Sequence, residues 1–327
     1  MSYYQWYPRQ KLILGMFFAF PGLLSLSQVA IAAPAGGQSS PPPGQAMGSA
    51  PCAWAEPIRG TDNALDVAAT IHTLQDNGFD CVAYVIENGP PNSFADFQRL
   101  LAAAQTAGIS VWPVLLPPSE FYSLPYKADY VGWMKEMAHL SLQYSALRGV
   151  NIDDFLDEPN LKTFTRPYFC SLYQAKQEIN PKLLFVPTIY DLDQGVADHL
   201  AGCVDGVWFW WTNLVGNSGL RSQLENSRLV VAHRFPIYAG IYAGWSDWHK
   251  GSPSPIRWQE WRPAVLRGAL NIGCRYADGV VVWNLPLSPN SSDNLLLGVA
   301  RAFAPGGSAD VAGKCGLGPD RGLEDKK

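Results

Sequence analysis

The stretch Arg148-Gly149-Val150-Asn151-Ile152-Asp153-Asp154-Phe155 sets two adjacent carboxylates at the end of a short, β-rich apolar run. Side chains alternate between the faces of an extended strand, so Val150 and Ile152 share one face and Asn151 and Asp153 the other, with Asp154 at the lip. Adjacent carboxylates at the end of a buried strand are costly unless they are hydrogen-bonded or used, and the use that suits them is proton transfer. A further acid stands in the same kind of place. The alternation Cys81, Ala83, Val85 stays small and apolar until it reaches Glu87, followed by Asn88-Gly89. Asp153 and Glu87 are the expected catalytic pair, with Asp154 in reserve for either role. Structural roles compete with this: an Asp that caps a helix or bonds loop amides would account for Asp154, Asp157 or Glu158, and Glu87 could belong to a surface loop.

Aromatic and polar side chains end several other runs. Trp208, Trp210 and Trp211 lie on one, Tyr190-Asp191 with Asp193 ends another, Tyr242 precedes a loop carrying Trp245, Asp247 and Trp248, and Trp283-Asn284 closes the last. Sugar rings present flat CH faces that pack on indoles, while Asn, Asp and Glu bond their hydroxyls, so the mixture suits a carbohydrate substrate. Asn151, Tyr190, Asp191, Trp208, Trp210, Tyr242, Trp283 and Asn284 are the expected substrate-binding residues. No cofactor and no metal are expected, because no C-x-x-C pair occurs and no His pair stands on adjacent run ends: His233 is near a strand and His249 is in a loop.

The elements that must position these residues follow from the pattern. Eight β-rich apolar runs, at 53–58, 81–87, 110–116, 149–155, 184–190, 206–212, 237–243 and 279–285, alternate with segments of helical length at 66–77, 94–107, 127–144, 166–178, 195–201 and 258–272. Asn77-Gly78 and Ala107-Gly108 supply the left-handed residue that ends a helix. Repeated strand–helix units build either a doubly wound open sheet or a barrel. No Gly-rich phosphate loop follows an early strand and the strand count is eight, so the expected fold is α/β, a single (β/α)8 TIM barrel with its site at the C-terminal ends of the strands.

The barrel is expected over residues 52–305, with a short tail at 306–327. Before it, Arg9 and Lys11, an apolar run from Leu12 and the small-x-small Ala30-Ile31-Ala32 read as a signal peptide at 1–32. An uncleaved anchor is the rival, but Pro21, Ser25, Ser27 and Gln28 weaken the second half of the run, so no stable membrane insertion is expected after cleavage. Residues 33–51, with Pro41-Pro42-Pro43, form a linker too poor in apolar groups to fold. Losing Arg9 and Lys11 with the leader makes the formal net charge of −4 more negative, which excludes nucleic acid as a natural partner. All six cysteines follow the leader, and an even number in a secreted or periplasmic chain permits disulfides.

The eight-run layout, the aspartates on the fourth run and the Trp that ends the eighth resemble the barrel glycoside hydrolases, most nearly the family-18 chitinase type, whose fourth strand reads D-x-x-D-x-D-x-E. Aligned on Gly149, that family's acids fall on Asn151, Asp153 and Phe155, so Asp153 is the position carried over. The resemblance implies a secreted glycosidase that works on a poly- or oligosaccharide, divergent from the chitinases because Phe155 stands where their catalytic acid would. A barrel that binds polysaccharide without cleaving it is the alternative.

Overall fold

The computed structural model describes residues 50–157, 159–210, 217, 219–243, 263–287, 294–304 and 315. The expected leader, the linker up to residue 49, the tail apart from Cys315, and Glu158, Trp211, Trp245, Asp247, Trp248 and His249 lie outside the described residues.

Among the described residues nine parallel strands are present: β1 (Cys52–Trp54), β2 (Cys81–Ile86), β3 (Ser110–Leu115), β4 (Gly149–Ile152), β5 (Leu184–Phe185), β6 (Thr188–Ile189), β7 (Val207–Trp210), β8 (Ile237–Tyr242) and β9 (Gly279–Trp283). β1 pairs with both β2 and β9, and the order runs β5-β4-β3-β2-β1-β9-β8-β7-β6. β5 and β6 are two halves of one stave. Val186 N donates to Val150 O at 3.0 Å on one side, and Pro187 O accepts from Trp208 N at 2.9 Å on the other, so the ladder runs through the gap between them. Pro187 has no N–H to give, which interrupts the regular pairing there. Counted this way the sheet is the eight-stave barrel that the sequence predicts.

Between the strands lie α1 (Val67–Asp76), α2 (Phe94–Ala107), α3 (Tyr130–Gln143), α4 (Arg166–Ile179), α5 (Gln194–Leu200), α6 (Leu220–Val231) and α7 (Pro263–Tyr276), and α8 (Asn294–Arg301) follows β9. Side-chain oxygens of Asp66, Ser93, Asp129 and Asp193 cap the N-termini of α1, α2, α3 and α5. Gly108, at φ 72°, closes α2 in the left-handed conformation that its sequence position predicts. α6 was not among the expected helices. It is largely polar, but Leu220, Leu224, Ser227 and Val231 are its buried residues, a stripe at helical spacing.

Strand parity sorts the core into two layers. Val82, Tyr84, Ile86, Val111, Leu115, Val150, Ile152, Phe209, Ile237, Ala239 and Val282 face the helices, in the larger cluster. Cys52, Trp54, Cys81, Ala83, Trp112, Val114, Trp208, Trp210, Tyr238, Tyr242 and Val281 fill the barrel. Four bulky indoles fit inside because the neighbouring positions are small. A Cβ at Gly149 would stand 2.2 Å from the Trp112 ring, and one at Gly240 would stand 2.3 Å from the Trp210 ring.

Three disulfides join Cys52 to Cys81, Cys170 to Cys203 and Cys274 to Cys315, a chemistry that suits an oxidising compartment. The first lies within the barrel filling and ties β1 to β2, where the register sets Ala53 against Val82 and so Cys52 beside Cys81. It closes a separation of 29 residues. Replacing both Cys52 and Cys81 by Ser should lower unfolding stability by about 3 kcal/mol, read from denaturant midpoints. A midpoint equal to the parent's would mean that the bridge contributes nothing.

Candidate active site

β4 ends at Ile152, and the chain then turns sharply: Asp153 N donates to Leu115 O at 3.0 Å and Asp154 takes a left-handed φ of 44°. A non-glycine residue in that region is strained, and such strain gathers at functional sites. The turn is held from outside by Asn160, whose amide donates to Asp154 O at 2.8 Å and to Ser119 Oγ at 3.0 Å. It also decides the fate of Phe155. In an unbroken strand Phe155 would share the inner face with Asp153. After the turn its ring instead lies in the outer layer, stacked on Phe164 at 4.4 Å and edge-on to Phe185 at 5.7 Å. The position aligned with the chitinase acid therefore faces the helices.

Asp153 is half-buried, and its carboxylate accepts from Asp154 N at 3.0 Å. Desolvation pushes its carboxyl well above the ordinary carboxylate range, the charge of Glu120 adds to the rise, and the Asp154 amide and the Thr188 hydroxyl oppose it. Asp154 is buried, and its carboxyl is likewise raised, first by desolvation and then by the charge of Asp153. Tyr190 Oη donates to Asp154 Oδ1 at 2.5 Å. Burial also raises the Tyr190 and Tyr242 phenols, to which both aspartates contribute, so the two tyrosines complete one polar cluster with the aspartates.

Asn151 lies beneath this cluster, fully buried, with its amide donating to Val186 O at 2.7 Å and Thr188 Oγ1 at 3.1 Å. Trp210 Nε1 reaches the same hydroxyl at 3.3 Å. A line of rings then runs upward: Trp112 to Trp208 at 5.8 Å, Trp208 to Trp54 at 5.6 Å, Trp54 to Trp210 at 5.4 Å, Trp210 to Tyr242 at 5.2 Å, and Tyr242 to Trp283 at 5.4 Å. Trp283 is half-buried, as is Asn284 beside it, with φ 56°. Trp208, expected to bind substrate, is wholly enclosed in the barrel filling, and Trp210 is nearly so. Their alternation with Val207 and Phe209 turns them inward, but at a depth where neighbouring rings cover both. Asp191 is exposed just past Tyr190, and Asp193 is the cap of α5.

Glu87 belongs to a second network at the end of β2. It is buried, and its Oε1 accepts from Asn92 Nδ2 at 3.2 Å. Arg59 bonds Asn92 Oδ1 in turn and donates to Pro91 O at 3.0 Å. The sequence reading missed Glu120. It lies in a short 3-10 turn, Pro118–Glu120, and its charge bears on Asp153. Pro117-Pro118 right after β3 marks a strand end, and loops after strand ends sit on the active face of a barrel, so the signal was present. Among the described residues no three His, Cys, Asp or Glu side chains group as a metal site, and no helix is long and apolar enough to cross a membrane.

No family model matches the sequence, and no curated protein resembles it closely enough to be counted a relative. Solved structures do resemble it. A glucosidase from Croceicoccus marinus aligns with a TM-score of 0.56 at 13% identity, over 77% of this chain and 65% of the glucosidase. The chain therefore spans just under two thirds of that protein. An alpha-amylase from Geobacillus thermoleovorans, complexed with acarbose, aligns at 0.55 and 8% identity over 79% and 78% of the two chains. An endocellulase from Pyrococcus horikoshii, in complex with cellotetraose, aligns at 0.51 and 11% over 76% and 91%. What they share with this chain is the barrel. At such identities the likeness reaches no further than the fold, and it does not single out the chitinase type.

Proposed function

We propose that the protein is a secreted glycosidase that cleaves a poly- or oligosaccharide at the C-terminal mouth of its barrel. Asp153 is the general acid and Glu120 is the base or nucleophile. The observation that carries this reading is the strained turn after β4 that presents Asp153 and is tied through Asn160 to the Pro118–Glu120 turn, with the charge of Glu120 adding to the rise of the Asp153 carboxyl. Two carboxyl groups in unlike surroundings are what glycosidic cleavage uses, one protonated and one ionised. Asp153 passes its proton to the glycosidic oxygen as the C–O bond breaks. The Glu120 carboxylate then either bonds the anomeric carbon or takes a proton from the water that does. Glu120 is preferred over Glu87 as the partner because it is the charge of Glu120 that acts on the Asp153 carboxyl, whereas Glu87 belongs to the network at the end of β2. On this reading Glu87, Asp191, Trp283 and Asn284 contact sugar around the rim, while Asp154 with Tyr190 and Tyr242 holds the strained turn that presents Asp153.

A panel of α- and β-linked oligosaccharides, followed by proton NMR, tests the reading and gives the anomer released first. On a responsive substrate Glu120→Gln should lower kcat about a hundredfold or more. The same change removes a charge that holds the Asp153 proton on, so the alkaline limb of the pH–rate profile should move to lower pH. Full turnover with an unmoved limb would remove Glu120 from the mechanism. The outward turn of Phe155 favours a second reading, a barrel that binds glycan without cleaving it. Binding across the panel with no product from any member would replace the first reading by the second.

A further inference from the structure

Among the described residues five large apolar side chains are exposed: Phe121, Leu142, Leu161, Leu229 and Leu295. Phe121 is the aromatic one, 74% exposed, and it follows Glu120 directly. Its backbone has a left-handed φ of 69°, and that of Tyr122 has 57°. Bulky residues avoid this region, and two in succession are a clear departure from preference. Tyr122 gains by it, since its ring turns inward against the core. Phe121 gains nothing from the fold, because the same turn aims its ring into solvent.

The loop is fixed in place. Ser123 Oγ donates to Ile86 O at 2.5 Å and accepts from Leu116 N at 2.9 Å, and Leu124 N donates to Glu87 O at 3.1 Å. On the other side Ser119 N donates to Asn160 Oδ1 at 3.1 Å, which ties the loop to the one that carries the strained Asp154 turn. Leu161, 42% exposed, follows Asn160. The backbone at Phe121 is thus held at a set place next to Glu120, on the loop that follows β3 and is bonded to the end of β2 and to the loop after β4.

We propose that Phe121 is a stacking platform for a sugar unit of the substrate chain one or more residues from the bond cleaved, a subsite that rests on the glycosidase reading above. The nonpolar CH face of a pyranose ring covers a flat aromatic ring, while its hydroxyls stay in water at the edge. A polymer whose scissile bond lies at Asp153 and Glu120 extends onto the surface around them, and a ring on a loop whose backbone is already fixed binds it with little further ordering.

The test uses the full-length protein and a chain-length series of a glycan that the wild type cleaves. Phe121→Ala should raise KM for the longest members roughly tenfold, the scale of one lost aromatic stacking contact with its buried area, and the effect should shrink as the substrate shortens. Phe121→Trp should restore tight binding. Phe121→Gly should weaken binding as Ala does while melting no lower than the parent, since glycine accepts this φ freely. Several outcomes would overturn the proposal. One is an equal KM at every length in the Ala variant, with catalysis of the shared bond intact, which leaves the glycosidase reading standing. Another is a lower melting temperature for the Gly variant, which makes the ring structural. A third is loss of self-association in the Ala variant, which assigns the ring to a second copy of the chain. If the wild type neither cleaves nor binds any glycan, this proposal and the glycosidase reading fall together.

Discussion

Asp153→Asn should leave the barrel folded and reduce turnover by about a hundredfold or more, the scale of general acid–base catalysis. Asn keeps the shape of the side chain and can still accept the Asp154 amide bond, but it has no proton to deliver. The pH dependence follows from the raised carboxyl. A general acid must be protonated, so wild-type turnover falls as pH rises through the elevated Asp153 value, and that limb should vanish from any residual activity of the variant. The sign for stability is the same. Desolvation makes the folded chain hold this proton to higher pH than the unfolded chain does, so the contribution to folding is complete below the ordinary carboxylate range and is lost as pH climbs through the raised value. Asn titrates nowhere in that window, so at neutral pH the variant should melt at a higher temperature than the parent. Kinetics beside calorimetry check both parts. Undiminished turnover would reduce Asp153 to a structural residue, and a lower melting temperature would show that its charge is stabilised rather than penalised.

Trp208→Ala should be the most destabilising single substitution in the barrel, by about 3 to 5 kcal/mol. The ring is fully buried, with the rings of Trp54 and Trp112 at 5.6 and 5.8 Å between centroids, so its removal leaves a cavity among large side chains. Among the described residues its Nε1 has no hydrogen-bond partner, so the indole is kept for volume and not for its N–H. Trp208→Phe should accordingly lose under about 1.5 kcal/mol, because most of the filling survives and the unsatisfied donor is removed. Urea unfolding of the pair decides it. If Ala were as mild as Phe, or if either variant stayed stable but lost only glycan binding, Trp208 would be a ligand contact after all.

The barrel was legible because alternation is a property of neighbouring residues. Ala83 inside and Val82 outside, or Asn151 inside and Ile152 outside, follow from counting by two along a strand, and the structure keeps that parity on every stave. The same count failed at Phe155 because it assumes that the strand continues, and the turn at Asp153-Asp154 depends on Asn160 and Ser119, contacts between loops that no local pattern displays. Depth was the other blind spot. Parity turned Trp208 inward but could not say that Trp54 and Trp112 would cover it. Glu120 went unnoticed for a related reason, since it lies in a loop whose path is set by bonds to Ile86, Glu87 and Asn160.

The divided fifth stave bears on how the molecule breathes. β4 and β5 share two register pairs, as do β6 and β7, but the strand between them is itself cut in two at Pro187, whereas β2 and β3 share six pairs along unbroken strands. Opening the ring at that stave would leave β1 to β4 joined to β6 to β9 through the pairing of β1 with β9, so the cylinder would spread as one curled sheet. Asp153 and Asp154 sit on one side of that seam and Tyr190 on the other, bridged by the bond from Tyr190 to Asp154. A molecule that grips both sides would act as a clasp across that divided stave, so occupancy of the mouth and closure of the cylinder would be one coupled equilibrium.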